Sequence, residues 1–118
     1  MLNLLYLDDS TEDGEAALRD FRNSPFALHW VASERAAWEE LGRRRFDIVV
    51  SDVIMAGEGG LGFARRFSAL GLDALLILTS GVSMMSSVEN YQGLRNYLGF
   101  IPKPITPAEI LPLLSTAP

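Results

Sequence analysis

Apolar runs of strand length recur along the chain, with stretches of helical pattern between them. They are "LNLLYL" at 2–7, "FALHWVA" at 26–32, "FDIVVS" at 46–51, "ALLILTS" at 74–80 and a fifth around Leu98 to Ile101. Runs of this length suit strands, and the segments between them are long enough for helices. No low-complexity segment, long linker or internal repeat breaks the series. The alternation therefore predicts an α/β domain with a mainly parallel sheet, built from five β/α units. The second run alternates like a half-exposed edge strand, whereas the third is short and β-branched, as strands buried on both faces are.

The polar punctuation predicts where the helices lie. Ser10 or Thr11 can cap a helix through about Asn23, with Glu12, Asp13 and Glu15 in a first turn whose dipole favours carboxylates. Ser33 opens a second helix carrying Ala36, Ala37, Trp38 and Leu41. The Gly-rich "MAGEGGLG" reads as a loop ahead of a helix from about Leu61 to Leu70. "GVSMMSSVENYQGLRN" is expected to hold a fourth helix, weakened by its serines and Gly93. Thr106 caps the last one, with Pro107 at its first position.

Length and composition narrow the class. The chain has 118 residues, about one ordinary domain, and we expect a single domain over 1–118. Just under half of the residues are hydrophobic and about a fifth charged, the balance of a soluble globular protein. No apolar run approaches the ~20 residues that span a bilayer, and "MLNLLYLDDS" reaches acid too early for a signal peptide, so no membrane association is expected. The absence of cysteine excludes disulfides and thiolate chemistry and fits a cytoplasmic location. A net charge of −5 disfavours direct nucleic-acid binding. The basic run Arg43 to Arg45 has a plain explanation at a helix C-terminus.

In a parallel sheet of this kind ligands collect at the carboxyl ends of the strands. Asp8 and Asp9 follow the first strand, Asp52 the third, Thr79 and Ser80 the fourth and Lys103 the fifth. Three carboxylates at one edge repel one another unless a cation joins them, and hard oxygen ligands favour Mg²⁺, whereas zinc would call for Cys or His. The one histidine, His29, falls within the second strand and reads as a structural or surface residue. A metal-bound carboxylate beside a lysine and a hydroxyl suits phosphoryl transfer: the carboxylate attacks phosphorus while the cations neutralise its oxygens. Singly, each residue could be a cap, a turn former or a strand end. The four strand ends together favour chemistry.

"YLDDS", "VVSDVIM", "LILTSG" and "FIPKP" resemble the signature segments of receiver domains of two-component response regulators, over essentially the whole chain. The resemblance implies a flavodoxin-like, doubly wound (βα)₅ sandwich with a five-stranded parallel sheet of order 2-1-3-4-5. It implies that Asp52 is the phospho-acceptor and that Asp8 and Asp9 hold Mg²⁺, Asp9 directly and Asp8 mainly through water. The backbone carbonyl of Ile54 would complete the protein ligands. Thr79 would move toward the phosphoryl group, and Phe100 would change rotamer with it as the switch, although packing alone also explains an aromatic there. Lys103, the only lysine beside nine arginines, would follow the phosphoryl oxygens, and the Lys103–Pro104 peptide would be cis. Lys103→Ala would leave the fold and the Mg²⁺ site largely intact while uncoupling phosphorylation from the switch.

The implied function is a signalling module, not a turnover enzyme. It would accept a phosphoryl group from a phosphohistidine on a histidine kinase or phosphotransfer domain and change its affinity for a partner or output domain. A single-domain regulator and a segment of a hybrid kinase or longer regulator are both open, with "LTSG" and "PKPITPAEIL" closer in style to receivers attached to hybrid histidine kinases. Several positions depart from the family pattern. Ala56 replaces a proline after the acceptor, the segment from Thr79 to Lys103 is longer than usual, and Asn96 stands where glycine is common. Asn tolerates the left-handed backbone, so that turn should persist. Ile54 and Gly81 cannot orient an attacking water, so no enhanced autodephosphorylation is expected. Tyr91, Arg95, Tyr97 and Glu109 are candidates for a partner face.

Two other classes compete. A pseudo-receiver acting as an interaction or dimerisation module would normally have lost part of the acidic set, which is complete here. A phosphatase of the haloacid dehalogenase type would want Asp-x-Asp after the first strand, and a flavin protein a Ser/Thr/Gly-rich phosphate loop; the chain has Asp-Asp-Ser.

Overall fold

The third apolar run forms the most deeply buried strand, β3 (Ile48–Asp52), with every residue buried. In the computed structural model, which describes residues 1–55, 59–81 and 93–116 and only the backbone at 59 and 60, β3 lies between β1 (Leu2–Leu7) and β4 (Leu75–Ser80). The edges are β2 (Phe26–Val31) and β5 (Tyr97–Pro102), giving a sheet of order 2-1-3-4-5 in which every pairing is parallel. This is the expected flavodoxin-like arrangement. The partial burial of β2 fits its place at the edge.

Four helices are present among the described residues: α1 (Thr11–Asp20), α2 (Glu34–Arg43), α3 (Gly59–Leu70) and α4 (Pro107–Leu114). Successive strand residues point to opposite faces, and the core divides accordingly. Leu5, Leu7, Val49, Leu76 and Leu78 pack with Ala37, Phe63 and Phe67, which lie on α2 and α3. Leu4, Tyr6, Ile48, Val50 and Ile77 pack with Ala17 of α1, Phe21 and Ile110 of α4. The sheet is thus covered on both sides, and its strand ends emerge together along one edge. No helix among the described residues is long and apolar enough to cross a membrane.

Three caps form as the sequence indicates. Asp13 N donates to Ser10 Oγ at 3.2 Å, Ala36 N to Ser33 Oγ at 3.1 Å and Glu109 N to Thr106 Oγ1 at 3.3 Å. Asn96 adopts φ 61° and its amide donates to Leu72 O at 3.0 Å, so the turn into β5 survives without glycine. Two boundaries differ from expectation. α1 stops at Asp20 instead of continuing to Asn23, because Phe21 turns into the core against Phe26 and Asn23 takes a left-handed φ of 58°. α3 begins at Gly59, so Gly59 and Gly60 are helical and not loop. The expected fourth helix after β4, Ala56 and Tyr91 lie outside the described residues.

Candidate functional site

Asp8 follows the last residue of β1, Asp52 ends β3, and their carboxylates meet at the sheet edge because β1 and β3 pair in register, Leu7 beside Ser51. Asp52 is paired with Thr79 on β4, and Val53 N donates to Thr79 O at 2.9 Å, which ties the two strand ends together. Ser80 is buried and its carbonyl accepts from Lys103 N at 3.0 Å, placing the lysine directly beyond β5. The Lys103–Pro104 peptide is cis, as the resemblance implied.

The ends of β1 and β3 and the first turn of α1 converge on one ammonium, carried just beyond β5. Lys103 Nζ lies 2.7 Å from Asp52 Oδ2, 2.8 Å from Asp8 Oδ2 and 2.8 Å from Asp13 Oδ2. Asp8 is fully buried; its Oδ1 also accepts from Ser10 N at 2.9 Å and its Oδ2 from the Tyr6 hydroxyl at 2.5 Å. Asp52 Oδ1 accepts from Ile54 N at 3.0 Å. Asp9 is exposed, yet one carboxylate oxygen from each of Asp8, Asp9 and Asp52 falls within 4.8 Å of the others. Such a spacing lets one small cation touch all three, and a set made only of hard oxygens fits Mg²⁺.

Burial and neighbours set the charge states. Burial raises the Asp52 carboxyl above its ordinary value and the Asp8 charge adds to this, while Lys103 and the Ile54 N–H pull it back. Burial alone would lower Lys103, but its hydrogen bonds to Asp13, Asp52 and Asp8 outweigh it and raise the group, so it is a firm ammonium at neutral pH. Tyr6 is pushed far up by burial and then by its bond to Asp8 and the surrounding carboxylates, so it stays a neutral donor. Thr79 is also fully buried, and its Oγ1 has no hydrogen-bond partner among the described residues. An orphaned buried hydroxyl is uncommon and calls for an explanation, such as a ligand it has yet to meet.

The structure thus brings together Asp8, Asp9, Asp52, Thr79 and Lys103. Ile54 follows at the exposed rim, with its N–H on the Asp52 carboxylate. Phe100 is partly buried against the α2/α3 side of the core. His29 lies elsewhere, edge-on to Phe46 at a centroid distance of 5.6 Å, in keeping with a structural role. The basic run keeps its plain reading as well: Arg43 is in the last turn of α2, Arg44 sits 3.7 Å from Glu40, and Arg45 sits 3.7 Å from Asp73.

Three neighbours of the site were not singled out from the sequence. Tyr6 shares a strand face with Asp8, a relation legible from the period of two. Asp13 stands in the first turn of a helix that starts where β1 ends, so the same edge receives it. Trp30 is paired with Tyr6 across β1 and β2, and its Nε1 donates to Asp8 O at 2.9 Å. Only the strand register reveals that contact.

The family model of the response regulator receiver domain matches residues 5–115. No curated protein matches the sequence. Among solved structures, chemotaxis protein CheY4 of Vibrio cholerae is similar at 19% identity and TM-score 0.83, covering 100% of this chain and 99% of that one. A signal receiver domain of an HD domain-containing protein from Pseudomonas fluorescens is similar at 18% identity and TM-score 0.81, covering 98% and 85%. A sensor protein from Polaromonas is similar at 20% identity and TM-score 0.80, covering 98% and 94%. At these identities the structures speak for the fold, and the family model for membership.

Proposed function

The chain belongs to the response regulator receiver domain family, and from that premise we propose that it is a phosphorylation-controlled signalling module with Asp52 as acceptor. Asp52 attacks the phosphorus of a phosphohistidine on a histidine kinase or phosphotransfer domain. The O–P bond forms as the P–N bond breaks, and the departing imidazole keeps the electron pair and takes up a proton. Mg²⁺ held by Asp8, Asp9, Asp52 and the Ile54 carbonyl would supply neutralisation of the phosphoryl oxygens. Lys103 carries the second positive charge to the same oxygens, and Ile54 N–H orients the carboxylate. The domain is its own substrate in this step and does not turn over an external one.

The observation that carries the reading is the Thr79 hydroxyl, fully buried, without a partner among the described residues and in register with Asp52. A phosphoryl group on Asp52 would give it an acceptor. About two added negative charges would draw Thr79 and Lys103 toward Asp52, and Phe100 would move with them to change a partner face. A pseudo-receiver has no use for that hydroxyl or for the complete acidic set. Incubation with radiolabelled acetyl phosphate or a cognate kinase should label the native chain only with Mg²⁺, and Asp52→Asn should abolish the label. A native chain that takes no label would overturn the proposal.

A further inference from the structure

Asp13 is not one of the three grouped cation ligands, yet its Oδ2 lies as close to Lys103 Nζ, 2.8 Å, as that of Asp8. An ammonium has three protons to donate, and here the three carboxylates Asp8, Asp13 and Asp52 supply its acceptors. Two of those three are also wanted by a divalent cation, and Asp52 is wanted by the phosphoryl group. Asp13 is the acceptor that such an exchange leaves in place.

Its own position is fixed from two sides. Its backbone N–H is held by the Ser10 cap, and the next residue, Gly14, lies directly under the Trp30 ring. The carboxylate is partly exposed, at 38%, against 13% for the Lys103 side chain. Its desolvation cost is therefore low, while the ammonium it holds remains inside the pocket.

We propose that Asp13 is a positioning residue for Lys103, holding the ammonium on the α1 side of the pocket so that it yields Asp8 and Asp52 to an incoming cation without leaving the site. The inference rests on the reading above that Asp8, Asp9 and Asp52 take a divalent cation. Without Asp13 the ammonium has only the cation's own ligands to bind, and it competes harder for them. A purely structural role is the alternative, since an acid in the first turn of a helix also offsets its dipole.

A double-mutant cycle separates the two. MgCl₂ titrations followed by amide chemical shifts are run on the native chain, Asp13→Asn, Lys103→Ala and the pair. Asp13→Asn should weaken Mg²⁺ binding in both backgrounds by removing a charge, but about fivefold more in the native background than in Lys103→Ala. Asp13→Glu, which keeps the carboxylate, should fall close to native. Equal weakening in the two backgrounds, or none in the native one, overturns the role of Asp13 while leaving the proposed function intact. Failure of the native chain to bind Mg²⁺ overturns the cation reading, and this inference with it.

Discussion

The Trp30 indole lies against Gly14 so closely that a Cβ there would overlap its Cε2, Cδ2 and Nε1 atoms. The same ring donates Nε1–H to the Asp8 carbonyl at 2.9 Å, so a glycine on α1 lets an edge-strand side chain brace the acidic loop. In an exposed helix, Gly→Ala would add up to about 1 kcal/mol of stability. Here the added methyl must displace the ring, and Gly14→Ala should instead cost about 2 kcal/mol. A denaturant midpoint measures this. A variant more stable than native would show that the ring moves aside freely.

Thr79 leads to the opposite sign. Its hydroxyl is buried without a partner among the described residues, so replacing it by an apolar group of the same shape removes a desolvation penalty and leaves no cavity. Thr79→Val should stabilise the unphosphorylated fold by about 1 kcal/mol, helped by valine's fitness for a central strand. The same variant should accept phosphate on Asp52 yet lose its response to it. Urea unfolding checks the first half, and partner binding with and without acetyl phosphate the second.

How much of this the sequence could disclose depended on the kind of signal. Apolar runs of strand length with acids, hydroxyls and a lysine at their ends located the five strands and Asp8, Asp9, Asp52, Thr79 and Lys103, because a parallel sheet makes all such ends neighbours. The end of α1 comes earlier than the polar pattern suggests, because the burial of Phe21 against Phe26 decides the turn and Asn23 then takes the left-handed backbone that asparagine tolerates. Gly59 and Gly60 signalled a loop by propensity, yet the backbone there is already helical. Asp13 had a sufficient local explanation in the helix dipole, which hid its contact with Lys103. The Trp30 contact depends on pairing register, which no single segment encodes.

Lys103 is the shared counter-ion of three carboxylates, so its removal should cost more than the sequence alone suggests. With a chelator present, Lys103→Ala should unfold about 2 kcal/mol more easily than native, since the fully buried Asp8 and nearly buried Asp52 lose their counter-ion. Mg²⁺ stabilises whichever state binds it, and without a competing ammonium the variant should gain more from it. Thermal melts across a MgCl₂ series test this: the gap between variant and native should narrow as Mg²⁺ rises. A gap that is constant or widens would mean that the cation does not compete with Lys103 for these oxygens.

Away from the site, α2 is fastened to α3 by a two-pronged ion pair whose pH dependence has a definite sign. Arg66 Nε donates to Glu34 Oε2 at 2.7 Å and Nη2 to Oε1 at 2.6 Å, and Trp38 Nε1 donates to Oε2 at 2.8 Å. The Arg66 hydrogen bonds hold the Glu34 carboxyl below its ordinary value; burial opposes this, and Trp38 and the Arg66 charge reinforce it. A carboxyl whose folded value is depressed stabilises the fold above its unfolded pKa, about 4.3, and loses that contribution as pH falls through the folded value. Arg66 is 44% exposed, so screening keeps the gain under about 1 kcal/mol. Glu34→Gln should therefore be slightly less stable than native at pH 7, and the difference should shrink as pH falls from about 5 toward 3. Urea midpoints at several pH values measure it. A difference that holds constant to pH 3 would assign the loss to side-chain packing and not to the charge.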